Sequence, residues 1–234
     1  MGVFRFKQFT VCDDRATMKV GTDAVLLGAW VDISLTKNIL DIGTGSGIIA
    51  LMMGQRTGPD VKIDAVELLE QDAQQASENI SKSPWPGKIS VSRTSIQEFY
   101  PGRHYDRIIC NPPYFSKSLL PPTGTRSEVR HDTALTSDDL LTATGRLLSP
   151  MGKLCLILPF VESAVFIQKA NSMDLFLHHV MKFFTRQGKA QERTLMEFGF
   201  KAEPLREDSS ILYQSKNQWT KEYRKLTQDF YLDQ

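Results

Sequence analysis

Three glycines, Gly43, Gly45 and Gly47, stand at alternate positions in the segment LDIGTGSG, residues 40–47. Glycine lets the backbone turn sharply and approach a ligand closely. Asp41 precedes them, and Glu67 follows Gly47 by twenty residues. The dinucleotide fingerprint G-x-G-x-x-G would need glycine at position 48, which is Ile48. An acid beside the loop would repel a pyrophosphate, so Asp41 suggests a ligand with an ammonium group or hydroxyls. A carboxylate at Glu67 can accept hydrogen bonds from both hydroxyls of a ribose. A bare glycine turn with Glu67 as a solvated acid is the bland alternative, and it leaves the agreement of glycines, acids and spacing unexplained.

Asn111-Pro112-Pro113-Tyr114 forms the second constellation, 44 residues after Glu67. The prolines fix the local backbone and remove two amide donors. They leave carbonyl oxygens, to which Asn111 adds a side-chain carbonyl and amide. Tyr114 and Phe115 offer faces for a flat ring. The set suits a planar amino group conjugated to a π-system, such as the exocyclic amine of adenine. Acceptors on both hydrogens draw that nitrogen towards tetrahedral geometry and free its lone pair. No strong base is then required, and catalysis rests on positioning and electrostatics. Read alone, the segment could be only a rigid turn.

Both constellations need strand ends to hold them. Short apolar runs at 39–42, 61–68, 88–92, 105–110 and 153–158 predict strands. Amphipathic stretches at 46–55, 71–81, 137–148 and 160–171 predict helices between them, with Ser137, Asp138 and Asp139 as a cap. Residues 177–184 and 194–200 read as a closing strand pair. This alternation predicts an α/β fold with a doubly wound, mostly parallel sheet of seven strands, one of them antiparallel near the C-terminus. The expected organisation is a single catalytic domain over 1–234: an N-terminal segment over 1–37, a core over 38–200 and a tail over 201–234. Tyr223, Leu226, Phe230 and Tyr231 give that tail one docked apolar helix face.

Composition narrows the class. The 234 residues hold 28 Lys plus Arg and 27 Asp plus Glu, a net charge of +1. That excludes a histone-like polyanion coat, while a local basic face remains compatible with it. The apolar share of 41% and charged share of 24% are those of a globular chain. Three separated cysteines, Cys12, Cys110 and Cys155, form no C-x-x-C pair and fit a reducing, cytoplasmic setting. The longest apolar run, 154–161, is far short of a membrane span, which needs about 20 residues. His178 and His179 lack ligand spacing, so no metal is expected.

LDIGTGSG and NPPY resemble motifs I and IV of the class I S-adenosylmethionine-dependent methyltransferases that act on adenine N6 or glutamine N5. FKQFTV (6–11), MKVGTDAVLLGAW (18–30), the Arg-rich segment 126–131 and EYRKLTQDFYL (222–232) are similar to the bacterial tRNA1(Val) adenine N6-methyltransferase family. The resemblance implies a Rossmann-like fold, S-adenosylmethionine as cofactor, S-adenosylhomocysteine as product, and tRNA as partner, modified at the adenine beside the anticodon. It implies that Asp41, Gly43, Gly45 and Gly47 serve the amino-acid end of the cofactor, and Glu67 its ribose. Leu68 would lie beside the cofactor adenine, with Ser95 and Ile96 as candidates for its amine. Lys19 to Asp23 would form a lid, with Thr22 near the cofactor carboxylate. Asn111 and Pro112 would hold the target amine, and Tyr114 would stack on its base.

An RNA target must leave its stack, which is easiest in a loop, and its phosphates need cations. Residues 103–131 carry Arg103, Arg107, Lys117, Arg126 and Arg130 for a net of +3. Residues 166–193 carry Lys169, Lys182, Arg186, Lys189 and Arg193, again net +3. Both segments are expected on one RNA-facing rim. Lys19, Phe115, Arg126, Arg130, Arg186 and Lys189 are the substrate-binding candidates. His131 reads as a solvated loop residue, since the chemistry needs no base. Rival readings are a release-factor glutamine methyltransferase, a DNA adenine methyltransferase and a non-catalytic RNA- or cofactor-binding module. Only about 39 residues precede the glycine loop, little room for the helical domain of the first rival or the recognition domain of the second. No membrane association and no obligate protein partner are expected.

Overall fold

A computed structural model describes residues 2–113, 135–215 and 217–232. The chain opens with a hairpin, β1 (Val3–Arg5) and β2 (Thr10–Cys12), followed by helix α1 (Thr22–Trp30). The core then alternates: β3 (Asn38–Ile42), α2 (Ile48–Arg56), β4 (Lys62–Glu67), α3 (Glu70–Ser81), β5 (Ile89–Arg93) and β6 (Tyr105–Cys110). After α4 (Ser137–Leu147) come β7 (Leu148–Pro159), α5 (Phe160–Asn171), β8 (Phe176–Arg186) and β9 (Arg193–Gly199). The tail supplies β10 (Arg206–Ser215), β11 (Gln218–Trp219) and α6 (Lys221–Thr227).

The main sheet runs β11-β10-β8-β9-β7-β6-β3-β4-β5. Strands β5, β4, β3, β6 and β7 are parallel, and β9 lies antiparallel between β7 and β8. Among the described residues the sheet has nine strands where seven were expected. The two extra strands come from the tail. β10 pairs in parallel with β8, Arg206 opposite His179 through Tyr213 opposite Arg186, and β11 folds back on β10. Its first half, Arg206 to Ser210, is polar and shows no apolar alternation, so only the open edge of β8 recruits it.

Side chains alternate across the sheet as strand geometry requires. Ile39, Ile63, Ile109, Cys155 and Ile157 face a layer formed by α1, α2, α3 and α6. Leu40, Ile42, Ile108, Leu154, Leu156 and Leu158 face α4 and α5. Helix α1 belongs to the core from its third residue onward: Ala24 to Ala29 are buried. Arg56 at the end of α2 donates to the carbonyls of Gly28 and Val31, at 2.7 and 2.8 Å, and so closes the end of α1. The two ends of the described chain meet where Phe6 bridges Tyr231 and the Lys7 N–H donates to the Phe230 carbonyl at 2.8 Å. Tyr223 and Phe230 are buried there, so the tail helix is docked as its spacing predicts.

Candidate active site

Three adjacent strands end side by side. Ile42 of β3 lies level with Val66 of β4 and Cys110 of β6. The glycine loop, Glu67 and Asn111 therefore leave the sheet together at its carboxyl edge. The chain goes one way from β3 to β4 and β5, then crosses to β6 on the other side. Such a switch point opens a crevice in an α/β sheet.

The loop is held from below. Gly43, Gly45 and Gly47 have φ of 68°, 55° and 84°, a left-handed region that other residues enter at a cost. The N–H groups of Gly43 and Thr44 donate to the Val66 carbonyl at 2.9 and 3.1 Å. Among the described residues a side chain on Gly43 or Gly45 would meet no atom within 4 Å, so both positions face open space there. Gly47 differs, because a Cβ there would come within 3.3 Å of the Ala76 Cβ on α3.

Asp41 is wholly buried beneath this loop. Its Oδ2 accepts from the Thr44 hydroxyl at 2.6 Å and from the Ala50 N–H at 3.1 Å. Ala50 lies in the first turn of α2, whose own N-cap is Gly47 and supplies no side chain. Asp41 thus does a capping residue's work from a neighbouring strand, satisfying an orphan donor at the positive end of the helix. Burial pushes its carboxyl up to about 7, against the Thr44 and Ala50 hydrogen bonds. Its Oδ1 is buried and unpaired.

Glu67 closes β4. Its Oε2 accepts from the Gly45 N–H and its Oε1 from the Leu69 N–H, both at 2.9 Å. Burial raises its pKa, opposed by these hydrogen bonds. Leu68 beside it is 38% exposed, an apolar surface facing out of the loop. Ser95, after β5, accepts the Glu98 N–H at 3.2 Å, and Ile96 is buried. The Thr94 N–H donates to the Glu67 carbonyl at 3.0 Å and brings this turn to the same edge.

Asn111 is half-buried, Pro112 buried and Pro113 exposed. Among the described residues the Asn111 side chain makes no hydrogen bond. The Cys110 thiol next to it is buried, and burial with the nearby Asp41 and Glu67 carboxylates pushes it well up. It stays protonated and is no nucleophile. Tyr114, Phe115, Lys117, Arg126, Arg130 and His131 lie outside the described residues.

Sequence reasoning missed Asn79. Its Nδ2 donates to the carbonyls of Cys12 and Ser46, both at 2.8 Å, and its Oδ1 accepts the Cys12 N–H at 3.0 Å. One amide of α3 thereby joins the N-terminal segment to the glycine loop. Asp72, two turns earlier, accepts the Thr17 N–H at 2.9 Å. The available signal was a pair of polar residues, Asp72 and Asn79, on the buried face of that helix. The Lys19 ammonium is bound to the carbonyls of Asp13 and Asp14, tying the segment to itself. Thr22 opens α1 half-buried, and Asp23 beside it forms a 2.8 Å ion pair with Arg193 of β9.

The expected cationic rim divides. Arg103 binds Asp64 at 2.5 Å and Arg107 reaches the Asp32 carbonyl at 2.5 Å, both near the amino end of β6 and away from Asn111. Lys169 pairs with Asp138 at 2.8 Å and Lys182 with Glu207 at 2.6 Å. Arg186 bonds Asn217 and covers the Tyr213 ring. Pro159 lies opposite Arg193, so the turn between β8 and β9, with exposed Lys189, does stand at the carboxyl edge. His178 sits between Lys153 and the Lys201 carbonyl, and His179 between Asp208 and Arg206. Among the described residues no group of side chains could hold a metal ion, and no helix is long and apolar enough to cross a membrane.

Residues 16–158 match the Methyltransferase small domain family. A relative from Tolumonas auensis is 42% identical, covering 98% of this chain and 96% of its own. Another, from Trichodesmium erythraeum, is 41% identical over 98% and 97%. Both are named tRNA1(Val) (adenine(37)-N6)-methyltransferase. A solved structure from Agrobacterium tumefaciens, described as a predicted O-methyltransferase, superposes with a TM-score of 0.62 over 89% of this chain and 96% of that one, at 18% identity. That likeness carries the class I methyltransferase fold alone. By its near full-length identity with the two curated relatives, the chain belongs to the tRNA1(Val) (adenine(37)-N6)-methyltransferase family.

Proposed function

We propose that this protein methylates N6 of adenine 37 in tRNA1(Val), using S-adenosylmethionine and releasing S-adenosylhomocysteine. The observation that carries the reading is the meeting of the open glycine loop, Glu67 and Asn111 at one sheet edge. The residues fit such a cofactor. Open space lies above Gly43 and Gly45, Asp41 keeps an unpaired oxygen, and Leu68 offers an apolar face.

In this reading Asp41 acts chiefly by fixing the loop and α2, while Gly43 and Gly45 let the amino-acid end approach the main chain. Glu67 takes the ribose hydroxyls with the lone pairs that Gly45 and Leu69 leave. Leu68 lies beside the adenine, and Ser95 or Ile96, by side chain or main chain, meets the adenine amine. Thr22 lies towards the cofactor carboxylate. When bound, the cofactor supplies an electrophilic methyl group.

Asn111 Oδ1 and the Pro112 carbonyl accept the two hydrogens of the target amine. That hold favours a tetrahedral nitrogen and frees its lone pair for attack. The proton leaves afterwards from a cationic amine far more acidic than the neutral one, so no side-chain base is required. Pro113 contributes by lacking an N–H that would compete for the acceptors. The protein acts on tRNA in the cytoplasm, and its chemistry calls for no metal.

Labelled S-adenosylmethionine offered with tRNA, release factor and DNA in parallel tests this reading. Label in tRNA as N6-methyladenosine is expected. Label on the protein substrate alone would overturn it in favour of glutamine methylation.

A further inference from the structure

Helix α5 carries an apolar face that the core does not use. Ser163, Phe166 and Ala170 are its buried positions. Phe160, Val161, Ala164 and Val165 are exposed, with Phe160 at 50%, Val161 at 78% and Val165 at 58%. Val161 and Val165 are one turn apart and form a continuous strip with their neighbours. A surface helix ordinarily puts charged residues on such a face.

The strip begins beside the proposed target site. β6 and β7 are parallel neighbours, with Cys110 level with Leu156. Pro113 is three residues beyond Cys110, and Phe160 is four beyond Leu156. Adjacent strands lie about 4.8 Å apart, so α5 opens next to the Asn111–Pro113 turn. Its first turn is fixed. The Phe160 N–H donates to the Glu192 carbonyl at 3.1 Å, the Ser163 hydroxyl to the Phe160 carbonyl at 2.7 Å, and the Thr194 hydroxyl to Ser163 at 3.2 Å. The same turn that supplies Glu192 carries the exposed Lys189.

We propose that Phe160 and Val161 form a stacking platform for a nucleotide that flanks the target adenine in the RNA loop. This rests on the reading of Asn111 and its prolines as the target-amine site. An adenine drawn out of a loop leaves its neighbour unstacked, and an unstacked base is received on aromatic and apolar side chains. Lys189 stands where it can meet the adjoining phosphate. The strip is set on a helix anchored to β9, so it is in place before RNA arrives.

The test is steady-state methylation of an anticodon stem-loop by Phe160→Ala, Phe160→Leu and Phe160→Tyr, with Val161→Ala as a second variant. Phe160→Ala should raise the RNA KM about fivefold or more, leaving kcat and S-adenosylmethionine affinity unchanged. Phe160→Tyr should restore the KM, while Phe160→Leu should not. An abasic site at one flanking nucleotide should abolish the difference between wild type and Phe160→Ala. Equal KM values for all variants, or an undiminished difference with an abasic site at each flank, would overturn the platform. Asn111→Ala serves as a separate arm. Full activity in that variant would undo the underlying site reading, whereas an inactive Asn111→Ala with no Phe160 coupling would undo only the platform.

Discussion

The main-chain N–H of Gly45 donates to the Glu67 carboxylate at 2.9 Å, joining the loop after β3 to the end of β4. With the Leu69 N–H on the other oxygen, this carboxylate has a fixed orientation before any ligand arrives. Hydrogen bonds to charged groups contribute about 1.5–3 kcal/mol each. Glu67→Ala is therefore expected to weaken S-adenosylmethionine binding about tenfold or more, measured by titration calorimetry. Unchanged affinity would remove Glu67 from the cofactor site.

Asp41 should leave a signature in stability against pH. Its carboxyl ionises near 3.8 when unperturbed and at about 7 in the fold, where burial disfavours the charge. Between those values the folded chain holds a proton that the unfolded chain has lost. Raising the pH from 4 to 7 therefore destabilises the fold through this group, by about 1.4 kcal/mol per pH unit at most, and the effect levels off above 7. Asp41→Asn keeps the shape and removes the titration. Denaturant unfolding from pH 4 to 7 should show wild type losing stability relative to Asp41→Asn as pH rises. Parallel profiles would contradict the assignment.

Two glycines of the loop should fail differently. Gly43→Ala places a methyl group in open space, so its folding cost is that of positive φ, about 1–2 kcal/mol. Gly47→Ala bears a similar conformational cost and also presses on Ala76. Thermal unfolding should rank Gly47→Ala as the less stable. Cofactor affinity should rank Gly43→Ala as the weaker binder for its stability, because its methyl group enters the ligand's space. The reverse ranking would place the cofactor elsewhere.

The site's skeleton was legible because its residues are constrained by backbone geometry. Positive φ at Gly43, Gly45 and Gly47 favours glycine, and buried strands leave apolar runs ending at Ile42, Glu67 and Cys110. The rest depends on tertiary partners. Nothing in the polar stretch Arg206 to Ser210 announces a strand, because β8 supplies its pairing. Helix α1 is apolar around most of its circumference, so it carries no amphipathic period and its burial shows only in the fold. The charges of Arg103 and Arg107 count towards a basic segment, yet their position at the start of β6 sends them to Asp64 and Asp32. Asp41 was expected to face a ligand, and its buried contacts with Thr44 and Ala50 show it first as a brace for loop and helix.

Asn111, whose side chain makes no hydrogen bond among the described residues, is the residue proposed to hold the target amine. Methylation of tRNA1(Val) by Asn111→Ala, read by mass spectrometry of nuclease fragments, tests it most directly. Formation of N6-methyladenosine at position 37 is expected to slow by about 100-fold or more, with S-adenosylmethionine affinity retained. Methylation of that adenine at the wild-type rate would contradict it.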